Sequence, residues 1–134
     1  MEQGADDTAT WVAVAAHSAD AKQGVDTVVL EVGDVLAITD AFVITSAGNP
    51  RLVRSIAEEV EARIAGSGGP KPLRTEGLDD LRWVLLDYGT FVVHVFLDET
   101  RRYYELERLW ADVPRREWRL TEEVAAGERP GGTR

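Results

Sequence analysis

The chain has 134 residues, a net charge of −9 at pH 7 and no cysteine, which excludes disulfide bonds, thiol catalysis and cysteine-liganded zinc. Residues 112–134 hold five basic and five acidic residues, so the whole net charge falls on residues 1–111. Because nucleic-acid binding depends on lysine and arginine neutralising phosphates, we expect little direct nucleic-acid binding. The negative charge favours a basic protein as the partner. The alternative interpretation is that the acidic residues only keep the protein soluble.

The first ten residues are polar and acidic, and no apolar run approaches the roughly 20 residues of a membrane helix. We therefore expect a cytoplasmic protein with neither a secretion signal nor a membrane span. A chain of this length can bury an apolar core without covalent cross-links, so a single folded domain is expected.

The first half of the chain predicts two helices and two strands. Helical spacing of apolar residues predicts a helix over residues 6–22, and the β-branched runs 25–32 and 41–46 predict strands. Asn49 is typical of a residue that caps a helix, and the amphipathic run 51–65 that follows is the clearest helix of the chain.

The second half predicts three strands and a closing helix. The strands are expected over residues 71–76, 82–88 and 90–97, and the last two are close enough in sequence to form a hairpin. The closing helix is expected over residues 100–110. Its apolar side is predicted to consist of Tyr103, Leu106 and Trp110.

The order of the elements predicts one α/β (α+β) domain with a mixed five-stranded sheet flanked by helices. Pro114 marks the expected end of this domain. The chain is accordingly divided into a folded domain over residues 1–112 and a charged C-terminal tail over residues 113–134, which is expected to be partly disordered.

The sequence motifs assign no catalytic residue, no cofactor and no metal site. The chain lacks both glycine-rich phosphate-binding loops and any Asp-x-Asp pair, and its histidines are His17 and His94. The loop over residues 46–49, before a predicted helix start, could in principle hold an anion, but a simple helix cap is the preferred interpretation. We therefore expect no enzyme.

The predicted hairpin carries polar and aromatic residues that a plain core strand does not need. Trp83 and Tyr88 are residue types enriched at binding hot spots, and they are equally common in packing at the edge of a core. Asp87 either caps the turn or pairs with a cation such as Arg101. His94 is interpreted as a hydrogen-bonded structural histidine rather than a metal ligand.

Five short motifs together resemble the ribosomal silencing factor (RsfS) family, also called the Iojap family. They are DAFVI from Asp40, EG from Glu76, WVLLDYG from Trp83, VHVF from Val93 and R..Y.LE.LW from Arg101. The resemblance covers roughly residues 20–112. The combination is specific to the family, whereas no single motif is.

The resemblance implies a function and a fold. Members of the family bind the large ribosomal subunit through its protein number fourteen, block joining of the small subunit and repress translation when nutrients are scarce. Their fold is similar to that of nucleotidyltransferases without the catalytic carboxylates, and members often form homodimers. A nucleotide-binding or nucleotidyltransferase-like enzyme is the alternative function, and a dimeric adaptor is a third.

The resemblance also implies which residues contact the ribosomal protein. The favoured contacts are Trp83, Asp87 and Tyr88, followed by His94 and Phe96. The full set of predicted partner-binding residues is Trp83, Leu86, Asp87, Tyr88, His94, Phe96, Arg101 and Tyr104. The chain departs from the family pattern at Leu52, where a polar residue is usual.

Overall fold

The structure is a computed structural model that describes the backbone of residues 2–119 and the side chains of residues 7–119. The helices are α1 (Glu2–Ala21), α2 (Pro50–Gly66), α3 (Asp98–Tyr104) and α4 (Leu106–Leu109). The strands are β1 (Val25–Glu31), β2 (Ala41–Ala47), β3 (Arg74–Glu76), β4 (Trp83–Asp87), β5 (Phe91–Leu97) and β6 (Arg115–Arg116).

The strands form one mixed sheet in the order β3-β4-β5-β2-β1-β6. The pair β2–β5 is parallel, and the remaining neighbours are antiparallel. The predicted mixed sheet flanked by helices is therefore confirmed, as is the β4–β5 hairpin. The predicted number of strands is wrong, because Arg115–Arg116 pairs with Val29 and Leu30 and adds a sixth strand at the edge of the sheet.

The two long helices α1 and α2 cover one face of the sheet. The amphipathic pattern of α2 is confirmed, since its apolar stripe is buried at Val53, Ile56, Val60 and Ile64. This stripe and the alanines of α1 pack against the same face of the sheet, and the resulting core includes Val43 and Val93 from its two parallel strands. We call this side of the sheet the helix face.

The opposite face of the sheet is covered over only part of its area. Its buried cluster consists of Leu30, Val32, Phe42, Ile44, Val92 and Phe96. Leu106 and Trp110 pack on this cluster, as the predicted apolar side of the closing helix requires. Tyr103 does not, because Glu105 adopts a left-handed conformation (φ 50°) that ends α3 and leaves Tyr103 80% exposed. The prediction of one continuous helix over residues 100–110 is thus wrong.

The folded body also extends past the predicted boundary at residue 112. Trp118 is buried, and its indole Nε1 donates a hydrogen bond to the Thr27 carbonyl at 2.9 Å. Arg116 pairs with Glu31 at 3.1 Å. Residues 113–119, assigned to the tail from the sequence, therefore belong to the packed domain. The expected disorder concerns residues 120–134, which lie outside the described part of the chain.

We expect Trp118→Ala to lower the free energy of unfolding by about 3 kcal/mol, because the substitution removes a buried indole and its hydrogen bond. Chemical denaturation followed by circular dichroism measures this loss. Tyr103→Ala is the control, since truncation of an exposed aromatic side chain should change the free energy by less than about 0.5 kcal/mol. Equal and small losses for the two variants would show that the C-terminal segment contributes nothing to stability.

Candidate partner-binding face

The candidate site is the part of the sheet that α3 and α4 leave uncovered, opposite the helix face. We define this open face by Trp83, Leu85 and Asp87, which are partly exposed, and by the buried His94 and Phe96 beneath them. Side chains of a strand alternate between its two sides, so the first three residues share one side of β4. The strand register then places Trp83 beside Phe96 and Leu85 beside His94.

Aromatic rings form a connected row across the open face. The ring centroid of Trp83 lies 4.7 Å from that of Phe96 and 5.1 Å from that of Tyr104. Phe42 continues the row, with its centroid 4.8 Å from His94 and 5.4 Å from Trp110. Trp83 and Tyr104 remain accessible above the buried rings. The row therefore presents rigid aromatic surface at a low cost in side-chain entropy on binding.

A hydrogen bond fixes the orientation of Trp83. Its indole Nε1 donates to Nδ1 of His94 at 3.1 Å. An indole can only donate, so Nδ1 of His94 accepts and the neutral imidazole carries its proton on Nε2. The prediction of a hydrogen-bonded structural histidine is confirmed. His94 thus lies beneath the accessible surface and holds Trp83 in place.

Burial lowers the pKa of His94 from 6.5 to about 4, although the nearby Asp87 carboxylate acts in the opposite direction. The imidazole is consequently neutral at pH 7. Among the described residues its buried Nε2 has no hydrogen-bond partner. A protonated ring would add an unpaired buried charge and would lose the acceptor that Trp83 uses, so the observed arrangement requires the neutral form.

Charged side chains border the open face on the β3 side. Arg74 pairs with Asp87 at 3.2 Å and with Glu76 at 3.6 Å. Asp87 also accepts a hydrogen bond from the backbone N–H of Gly89 at 2.9 Å. Asp87 therefore has both of the roles considered for it: it caps the turn at Gly89 and pairs with a cation, which is Arg74 rather than Arg101. An apolar centre with a polar rim is the usual anatomy of a protein–protein interface.

Arg101 is buried and holds several segments of the fold together. Its guanidinium is buried and donates to the carbonyl oxygens of Val25 and Asp26 at 2.9 and 2.8 Å and to Ser46 Oγ at 3.0 Å. It also pairs with Glu107 at 2.9 Å. Burial acts to raise the pKa of Glu107, but hydrogen bonding to Arg101 and the guanidinium charge hold that pKa below its ordinary value. The bonds of Arg101 within the fold give it a structural role, and its predicted contact with a partner stays a prediction.

Leu86 and Tyr88 lie on the helix face, away from the other predicted contacts. Leu86 has no exposed surface, and Tyr88 is 7% exposed and stacked on Phe91 with centroids 4.6 Å apart. Burial, together with the charge of Glu61, raises the pKa of Tyr88. Both side chains are buried in this conformation and offer little surface to a partner, so their contact with the ribosomal protein stays a prediction.

Sequence reasoning placed Tyr103 on the apolar side of the closing helix and did not single out Leu85, so it missed both as site residues. Leu85 lies partly exposed between Trp83 and Asp87 on the open face, and Tyr103 projects from α3 beside Tyr104. The alternation along β4 was a signal for Leu85, since it places this residue on the same side as Trp83. Tyr103 carried no such signal, because its exposure follows from the break at Glu105.

The loop that motivated the enzyme alternative is a helix cap. Asn49 Oδ1 accepts a hydrogen bond from the backbone N–H of Leu52 at 2.9 Å, which confirms the preferred interpretation. Among the side chains of residues 7–119, no group of three or more histidine and acidic residues is arranged to hold a metal ion. No helix in the same part of the chain is long and apolar enough to cross a membrane.

Comparison with known proteins finds one family. The family model described as "Ribosomal silencing factor during starvation" matches residues 5–132. A Bacillus subtilis protein named "Ribosomal silencing factor RsfS" is 38% identical over 101 residues, which cover 75% of this chain and 85% of the relative. A mouse protein named "Mitochondrial assembly of ribosomal large subunit protein 1" is 33% identical over 88 residues, which cover 63% of this chain and 38% of that protein.

Two solved structures resemble this one over most of its length. A crystal structure of a Chromobacterium violaceum protein matches with a TM-score of 0.70 and 28% identity, covering 73% of this chain and 81% of the other. A crystal structure of a Bacillus halodurans protein matches with a TM-score of 0.67 and 35% identity, covering 78% and 93%. The sequence similarity to the Bacillus subtilis relative covers 75% of this chain, and the structural similarities cover 73% and 78% of it.

We expect His94 to make stability depend on pH. In the unfolded chain it titrates near 6.5 and in the fold near 4, so between these values the unfolded chain binds more protons. Its contribution to stability is complete above pH 6.5 and is lost as the pH falls toward 4, with a magnitude of about 3 kcal/mol.

Denaturation of the wild type and of His94→Gln between pH 4 and pH 7.5 measures this contribution, because the carboxylates titrate in both proteins and cancel in the difference. Parallel pH profiles for the two proteins would contradict the assignment of a buried neutral imidazole.

Proposed function

We propose, from the premise that this chain belongs to the ribosomal silencing factor family, that it binds the large ribosomal subunit through its protein number fourteen and prevents the small subunit from joining. Membership assigns a ribosome-associated regulatory role, and the names of the relatives describe a regulatory factor rather than an enzyme. The particular subunit protein and the block to joining are the parts that we propose.

The observation that carries the proposal is Trp83 on the open face. The side chain is partly exposed, yet Phe96, Tyr104 and the hydrogen bond to His94 hold it in one orientation. A tryptophan that is fixed before binding loses little entropy when it enters a partner's pocket. Such aromatic side chains, surrounded by a polar rim, are the commonest binding hot spots.

The charge of the chain supports a basic protein as the partner. The net charge of −9 attracts a cationic surface and repels the phosphates of ribosomal RNA, so contact through a protein is favoured over contact through RNA. In this proposal the open face supplies affinity, while the acidic surface increases the rate of association and selects the orientation.

The mechanism is steric. A domain bound to the face of the large subunit that meets the small subunit occupies space that the small subunit needs. No substrate turnover is required, and the effect ends when the protein dissociates. We also propose that the protein forms a homodimer, as the resemblance implies. Sedimentation velocity measures its oligomeric state directly.

We expect Trp83→Ala to weaken binding to purified large subunits by about 1–3 kcal/mol, because truncation removes the aromatic anchor. Co-sedimentation at increasing protein concentration measures the change. Trp11→Ala is a matched control, since Trp11 packs on the helix face and its loss should leave binding unchanged. Circular dichroism establishes that both variants are folded. Wild-type affinity in a folded Trp83→Ala variant would remove the open face from the interface.

We also expect the purified protein to reduce the joining of isolated large and small subunits in proportion to its occupancy of the large subunit. Sucrose-gradient sedimentation of subunit mixtures measures the joined particles. Trp83→Ala should require a higher concentration by the factor found for its binding. Unchanged joining at a concentration that saturates the large subunit would contradict the steric mechanism while leaving binding intact.

A further inference from the structure

A groove lies at one end of the open face, beside the first turns of α3, with a volume of about 620 Å³. Three aromatic residues line it: Trp83, Tyr103 and Tyr104. The centroid of the Tyr104 ring lies 5.1 Å from Trp83 and 5.0 Å from Tyr103, and Tyr103 meets it edge to face at 90°. Tyr104 is 52% exposed and Tyr103 is 80% exposed, so their ring surfaces are available to a ligand.

The charged residues of the groove leave one carboxylate without a partner. Arg82 and Asp80 approach each other at 3.7 Å, and both side chains are exposed, so their charges largely offset each other. Glu99 also lines the groove, and no ion pair or side-chain hydrogen bond engages its carboxylate among the side chains of residues 7–119. The groove thus combines exposed aromatic rings with a surplus negative charge.

This combination fits one kind of occupant. The face of an aromatic ring attracts a cation, and the attraction increases when binding removes water from the ring. Arginine suits such a place better than lysine, because its planar guanidinium can stack on a ring and donate to a carboxylate at the same time. A neutral apolar side chain would use the rings but would leave Glu99 desolvated and unpaired.

We infer that the groove receives a cationic side chain, by preference an arginine, from the ribosomal protein that the open face binds. The inference rests on the proposed function and adds a second anchor to it. Trp83 forms one wall of the groove and part of the open face, so the two contacts are continuous. Tyr103 and Glu99 are the residues that distinguish the groove from the rest of the interface.

Three variants test the groove: Tyr103→Leu, Tyr103→Phe and Glu99→Gln. Binding to purified large subunits should weaken roughly 3- to 10-fold for Tyr103→Leu, which removes the ring, and should stay near the wild-type value for Tyr103→Phe, which keeps it. Glu99→Gln should also weaken binding, and its deficit should shrink as salt rises from about 50 mM to about 500 mM, because salt screens the lost attraction.

Glu58→Gln is the matched control, since Glu58 is an exposed glutamate on α2, away from the open face, and its neutralisation should leave binding and salt dependence unchanged. Both Tyr103 and Glu99 are on the surface of a short helix, so thermal unfolding of all variants should resemble the wild type. If Glu99 had only a structural role in α3, the loss of binding in Glu99→Gln would not depend on salt. A salt-dependent loss that Glu58→Gln does not show therefore supports a direct role of this carboxylate in binding.

The outcomes distinguish failure of the groove inference from failure of the proposed function. If the wild type does not bind large subunits, the proposed function fails and the groove inference fails with it. If the wild type binds and Trp83→Ala weakens binding, but Tyr103→Leu and Glu99→Gln bind like the wild type, the groove inference alone is overturned. Equal losses for Tyr103→Phe and Tyr103→Leu would also overturn it, since the ring would then not be the contact.

Discussion

The constraint on which the rest of the structure depends is the unequal cover of a sheet that is apolar on both faces. The central parallel strands β2 and β5 are buried on both sides, which requires packing elements above and below them. Two long helices cover the whole of one face, whereas the short helix α4 and the residues after it cover only part of the other. The β4 side of that second face is left accessible, and this is where the candidate interface lies.

The geometry of the accessible part of the sheet depends on hydrogen bonds and an ion pair that lie outside it. Arg101 donates hydrogen bonds to two carbonyl oxygens where the pairing of β1 is irregular, and it forms an ion pair with Glu107 of α4. It therefore connects both short helices to β1. These bonds fix α3 and thereby place Tyr104 against Trp83. A buried guanidinium is stable only when its donors are satisfied, which explains why one arginine makes so many bonds here. The geometry of the candidate interface therefore depends on packing outside it.

Local sequence patterns were sufficient to predict most helices and strands. They were not sufficient for elements that form only where distant segments of the chain meet. The strand β2 and the helix α2 lie within a residue or two of their predicted bounds, because burial pattern and capping are encoded in neighbouring residues. The two-residue strand Arg115–Arg116 carries no such pattern, and it exists because β1 offers it an unpaired edge. The break at Glu105 was missed for a similar reason, since a left-handed glutamate without glycine or proline gives no sequence signal.

The sequence by itself determined the family, the type and order of most elements, and the hairpin on which Trp83, Asp87 and His94 stand, because motifs and periodicity are properties of adjacent residues. Only the tertiary structure decided which side of that hairpin a partner can reach. Alternation along β4 separates Trp83 from Leu86, but both sides of the strand are apolar, so the pattern cannot say which side α1 and α2 will cover. Packing of distant helices answers that question, and it places Leu86 in the core and Trp83 on the surface.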